Sequence, residues 1–269
     1  MAMNNPAFNN PAFTQPNAAA VAVKTASATE LQDMYNRPAA GIQQADRMTV
    51  EDTVKKSAIA FAVLLVGAAI GWTVGQTMPA VTFGAAIIGF ILAMVNIFKK
   101  EPSAPLVLAY AGFQGVFVGG ISGVFDAQWS GIVIQAVLAT LTVVGVTLAL
   151  FASGKIRASK KATKIFLIAM VGYLVFSLIN VGLQMFGVVQ EPFGLSSSVD
   201  IMGIPLGIIL GLLCVVLGAY SLVLDFDFIQ RGVQNKAPRK YGWSGAFGIM
   251  VTVIWLYLEI LRMLAIARD

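Results

Sequence analysis

Leu206-Gly207-Ile208-Ile209-Leu210-Gly211-Leu212-Leu213-Cys214-Val215-Val216-Leu217-Gly218-Ala219-Tyr220-Ser221-Leu222-Val223-Leu224 carries no charge, and the run closes on Asp225-Phe226-Asp227-Phe228-Ile229. A helix crosses the hydrocarbon core of a bilayer in about 20 predominantly apolar residues. The stretch around this run, about 201–229, meets that requirement, and six others like it precede or follow it: about 57–75, 80–98, 104–125, 131–152, 165–188 and 242–266. Short polar breaks separate them, such as Gly75-Gln76-Thr77-Met78-Pro79, Lys99-Lys100-Glu101-Pro102 and Glu191-Pro192-Phe193-Gly194. Strands of alternating polar and apolar residues are absent, which argues against an outer-membrane barrel. The expected fold is an all-α polytopic membrane protein, a bundle of seven transmembrane helices over 51–269.

Composition agrees. Of 269 residues, 58% are hydrophobic and only 12% charged, against about 25% charged in a soluble domain. Mean hydropathy is +0.80. A typical soluble enzyme and a nucleic-acid-binding domain are excluded, so the net charge of +5 is read as basic loops rather than as a polyanion site. There is no histidine and a single cysteine, Cys214. Imidazole ligands, Ser-His-Asp triads, histidine pH switches and an intrachain disulfide therefore fall away. Neither a Gly-x-Ser-x-Gly elbow nor a phosphate-binding loop is present, and no enzyme activity or cofactor is expected.

The connectors alternate in charge. Arg47, Lys55 and Lys56 precede the first span, and Lys99 and Lys100 follow the second. Lys155, Arg157, Lys160, Lys161 and Lys164 follow the fourth, and Arg231, Lys236, Arg239 and Lys240 follow the sixth. The intervening connectors carry no basic residue. The positive-inside rule then expects a cytoplasmic amino terminus and, with seven spans, an outside carboxyl terminus in the plasma (inner) membrane. Residues 1–50, rich in Asn, Pro, Ala and Gln, read as a disordered cytoplasmic tail. They contain a near-repeat, Asn4-Asn5-Pro6-Ala7-Phe8 and Asn9-Asn10-Pro11-Ala12-Phe13. Gly115/Gly119 and Gly207/Gly211 form GxxxG pairs that read as helix-packing contacts.

Three acids sit within or at the edge of apolar spans: Asp225, Asp227 and Glu259. A charge at the centre of a span costs about 2.5–3.5 kcal/mol on insertion scales unless it is paired or hydrated, so such residues point to a proton or cation site. Asp225 and Asp227 lie about 200° apart around a regular helix, so only one faces the bundle interior. Asp227 has Arg231 at i+4, and Glu259 has Arg262 at i+3, as charge partners. The functional alternative has Glu259 facing an aspartate of the sixth span, the two carboxyls sharing one proton. Deprotonated, such a pair offers oxygen ligands to a hard cation such as calcium.

Leu256-Tyr257-Leu258-Glu259-Ile260, the acidic end of the sixth span and the seven-span plan together resemble the Bax inhibitor family, including its bacterial YccA-like members, over about residues 50–269. The family typically carries Tyr-Asp-Thr-Gln at the end of the sixth span and Leu-Tyr-Leu-Asp in the seventh. Matched to this chain, Asp227 takes the first aspartate's place and Glu259 the second's. The tandem Asn-Pro-Ala-Phe tail and Leu224-Asp225-Phe226-Asp227-Phe228-Ile229 look most like actinobacterial versions. The resemblance implies a Bax-inhibitor-type bundle with the last helix central, and a pH-sensitive calcium leak gated by a two-carboxylate latch of Asp227 and Glu259, which would be the calcium ligands. This chain departs from the pattern in Glu259 for aspartate, in the extra acid Asp225, and in Arg262 beside the latch. Two other functions fit the same acids and tail: a proton-coupled transporter, and a non-transporting regulator with a membrane-protein partner.

Overall fold

A computed structural model describes residues 47–268, which form seven helices long and apolar enough to span a membrane. They are α1 (Val50–Gly75), α2 (Pro79–Phe98), α3 (Ala104–Gln128), α4 (Ile132–Ala152), α5 (Lys160–Met185), α6 (Leu206–Gln234) and α7 (Gly242–Ile266). The chain is an all-α polytopic membrane bundle. Most of the tail expected over residues 1–50, including the Asn-Pro-Ala-Phe repeat, lies outside the described residues.

Residues 47–50 depart from that expectation, because they are built into the bundle. Thr49 caps α1 by accepting from the Asp52 amide at 3.1 Å, and Glu51 and Asp52 in the first turn complement the helix dipole. Met48 is buried, and its amide donates to the Ala237 carbonyl at 2.8 Å. Arg239, in the α6–α7 connector, reaches Asp52 Oδ1 through Nε at 2.8 Å and Nη2 at 2.6 Å. Lys56 pairs with Asp52 Oδ2 at 2.6 Å and donates to the Arg239 carbonyl at 2.6 Å. The start of α1 and the α6–α7 connector are thus tied together.

The sixth span begins later than the sequence suggests. Asp200–Ile201 pairs antiparallel with Ile204–Pro205, and the two residues between them, Met202 and Gly203, both have positive φ, 56° and 81°. That is the backbone of a tight primed hairpin turn, which breaks the helix despite the apolar neighbours. Conversely, α5 starts at Lys160 rather than near 165, because Ser159 Oγ accepts from the Ala162 amide at 3.2 Å.

α1 packs most closely on α3, and α6 on α7. The α1–α3 seam is made of glycine on both sides. A Cβ on Gly71 would collide with the Val116 backbone, and one on Gly119 with the Ala68 backbone. Gly207 and Gly211 in turn make room for Ile266 and Met263 of α7. α7 is the most enclosed helix, contacting α6, α1, α4 and α3, and α5 is the least enclosed. The last helix is therefore central. Leu256, Ile260 and Leu261 of α7 join Val107 and Ala111 of α3 in the apolar core.

Candidate functional site

The three acids singled out in the sixth and seventh spans fall into three separate places. The first is on the inner face of α6. Asp225 points at α7, where the Thr252 hydroxyl donates to its Oδ2 at 2.7 Å. Ser221, one turn back on α6, lies 3.2 Å from Thr252 Oγ1. Thr252 has one proton and gives it to Asp225, so Ser221 is the donor to Thr252. Ser221, Thr252 and Asp225 thereby form a directed chain of hydroxyls ending on a carboxylate. Gly248, one turn before Thr252, leaves the room that Asp225 occupies, since a Cβ there would lie 2.7 Å from Asp225 Oδ1.

Asp225 lines a cavity of about 520 Å³ between α2, α3, α6 and α7. Its other lining residues with polar groups are Gln114, Thr252 and Tyr110, and the rest is apolar, with Phe90 and Ile97 exposed at its α2 edge. Tyr110 is held edge-on against Phe247 at 5.1 Å. Among the described residues, no cationic side chain lines the cavity.

The second place is Glu259 on α7. Its Oε2 meets Arg262 Nη2 at 2.6 Å, its Oε1 accepts from the Tyr173 hydroxyl of α5, and Arg262 Nη2 also donates to the Tyr173 oxygen at 2.9 Å. The carboxylate is buried, neutralised by the guanidinium and hydrogen-bonded on both oxygens. A buried charge survives under those conditions.

The third place is Asp227, whose Oδ2 pairs with Arg231 Nη2 at 2.7 Å, with Arg231 largely exposed. Asp227 and Glu259 are not brought together: each is engaged by an arginine on its own helix. The physical reason is helix phase and height. Asp225 takes the face of α6 toward α7, which turns Asp227 about 200° away. The residue of α7 level with Asp225 is Thr252, and Glu259 lies seven residues further on, about 10.5 Å along the axis. The calcium ligand set of Asp227 and Glu259 stays an expectation of the resemblance, with each of the two carboxylates beside its own arginine. Among the described residues no group of three or more His, Cys, Asp or Glu side chains gathers to hold a metal ion.

Thr252, Ser221 and Tyr173 were not singled out in the sequence. Thr252 carried a usable signal, because it precedes Glu259 by seven residues and so shares its helix face. Tyr173 carried none, since nothing in the sequence tells which residue of α5 meets α7.

Comparison with known proteins adds an independent line. No curated protein matches the chain. The protein family described as Bax inhibitor 1 like matches it over residues 5–269, nearly its whole length. With seven spans, a central last helix and acids embedded in the sixth and seventh, the chain belongs to the Bax inhibitor 1-like family.

Proposed function

We propose that the protein is a proton-sensitive cation leak, with calcium the permeant ion and Asp225 the carboxylate that governs it. The observation that carries this reading is Asp225 on the wall of a 520 Å³ cavity, accepting from the Thr252 hydroxyl, with no countercharge among the described residues that line it. Of the three acids in the sixth and seventh spans, Asp227 and Glu259 are each neutralised by an arginine. Gain or loss of a proton at Asp225 thus changes the charge of the cavity by a full unit. Ionised, it presents oxygen ligands suited to a hard cation, together with the Gln114 side chain. Protonated, it keeps its bonds to the hydroxyl chain and offers no charge. The two-carboxylate latch of the resemblance is replaced by a carboxylate–hydroxyl latch between Asp225 and Thr252. No enzymatic step is part of this reading. The alternation of basic connectors supports an inner-membrane protein with a cytoplasmic amino terminus and an outside carboxyl terminus.

The test is calcium influx into liposomes that hold a calcium dye and the purified protein, from about pH 5 to about pH 8, where folded proteins are generally most stable. Asp225→Asn is expected to abolish the pH dependence, while Asp227→Asn and the paired replacement of Glu259→Met with Arg262→Met keep it. A pH response that vanishes with the paired replacement and survives Asp225→Asn overturns the assignment. If the folded protein gives no flux at any pH, the leak is discarded and the regulator with a membrane-protein partner takes its place.

A further inference from the structure

A second cavity, about 650 Å³, shares no lining residue with the first. It is walled by α1, α3, α4 and α7, and its edges carry Leu65 of α1 and Leu141 of α4, both exposed on the flank of the bundle. Its floor reaches the central helix at Ile254. It lies toward the end of α1 and the start of α4, so it opens sideways into the half of the membrane opposite the start of α1.

What fills this space follows from its walls. Apart from the Trp72 indole, its polar groups are the hydroxyls of Ser122, Thr140 and Tyr257. Ser122 donates to the Val118 carbonyl at 2.6 Å, leaving Tyr257 to donate to Ser122 at 2.6 Å. Thr140 donates to the Ala136 carbonyl at 2.7 Å. All three protons are committed inside the protein. A held water needs two to four polar partners, and an apolar cavity without them stays dry and accepts apolar guests. An empty space of this size forfeits the dispersion contacts of every atom around it. The surroundings that meet the mouth are hydrocarbon tails.

We propose that this cavity is a lateral opening that holds an acyl chain of a bilayer phospholipid, inserted between α1 and α4 against α7. Recognition is by the tail alone, so phospholipids of different headgroup should compete equally. The occupant touches α7 directly and is part of how the central helix is packed.

Trp72 lies in the lining and reports on it. A variant keeping it as sole tryptophan (Trp129→Phe, Trp243→Phe, Trp255→Phe) would be placed in vesicles of phosphatidylcholine brominated along the acyl chains. The same protein with Val137→Phe and Val253→Phe fills the cavity from its mouth and its floor. Bromine quenching of Trp72 is expected to fall to about half in the filled variant, because close packing then leaves the ring facing only surrounding lipid. Equal quenching in both overturns the proposal. Native mass spectrometry of the unmodified protein after exhaustive detergent washing stands independently of how the variants fold. One retained phospholipid per chain, exchangeable between headgroup classes, is expected. A bare chain, or a dimer without lipid, overturns it.

Discussion

Arg262 stands one turn beyond Glu259 on α7 and meets it at 2.6 Å, with the Tyr173 hydroxyl touching both. The pair is closed on itself inside an apolar span. Removing one member leaves the other charged, buried and alone, which costs about 3–5 kcal/mol, whereas replacing both by apolar residues is close to neutral. Arg262→Met should therefore destabilise the protein severely. Glu259→Met together with Arg262→Met should recover most of the loss. Thermal unfolding of the three proteins in one detergent checks this, and a double variant no better than the single one refutes it.

The α1–α3 seam makes a sharper demand. Gly119→Leu drives a side chain into the Ala68 backbone, where nothing flexible can yield, and overpacking of this kind costs about 1–3 kcal/mol or more. Gly145→Leu on α4 meets open space. The first variant should lose its monodisperse peak in size-exclusion chromatography, and the second should keep it.

Thr252→Val removes the hydroxyl that Asp225 accepts from, without changing the shape of the wall. A hydrogen bond donated to a carboxylate favours the ionised form. Without it, protonation sets in earlier as the pH falls, so the midpoint of calcium flux should move to higher pH. A midpoint shifted the other way would contradict the carboxylate–hydroxyl latch.

Glu101, in the α2–α3 connector, pairs with Lys240 at 2.7 Å. Lys240, by hydrogen bond and charge, holds its carboxyl below the ordinary value of 4.5. A group whose acidity is strengthened in the fold stabilises it above its ordinary value, and loses that contribution as the pH falls through the shifted one. Glu101 is exposed, so the effect is small and salt-sensitive. Melting temperatures of the protein and of Glu101→Gln should differ slightly at neutral pH, converge in acid, and converge at high salt.

Much of the architecture was legible along the chain, because hydropathy and loop charge are properties of one segment at a time. The seven runs and the pairing of Glu259 with Arg262 at i+3 needed no knowledge of neighbours. The rotation of α6 did need it: Asp225 and Asp227 are equivalent until Gly248 and Thr252 of another helix decide which one turns inward. The hairpin at 200–205 was hidden by Ile201 and Ile204, which read as span, although Gly203 marks the turn. Thr49-x-x-Asp52 is a readable start for α1, masked by Lys55 and Lys56, which read as part of the basic segment before the first span. Gly67 and Gly71 became meaningful only once α3 supplied Gly115 and Gly119 opposite them.

The glycine seam has a consequence for motion. Where two backbones touch, there are no side-chain rotamers to adjust, so α1 and α3 can move only as a single body. α5 is different. Polar contacts tie it to the bundle at separate heights, from Thr163 to Tyr220 at 2.9 Å, from Tyr173 to Glu259, and from Asn180 to the Phe193 carbonyl at 3.1 Å. Amide protons of α1 and α3 facing the seam should therefore exchange with solvent deuterium most slowly, and those of α5 faster. Any change in the outline of the bundle is taken up at its α5 side, where a few directional bonds rather than interlocked backbones set the resistance.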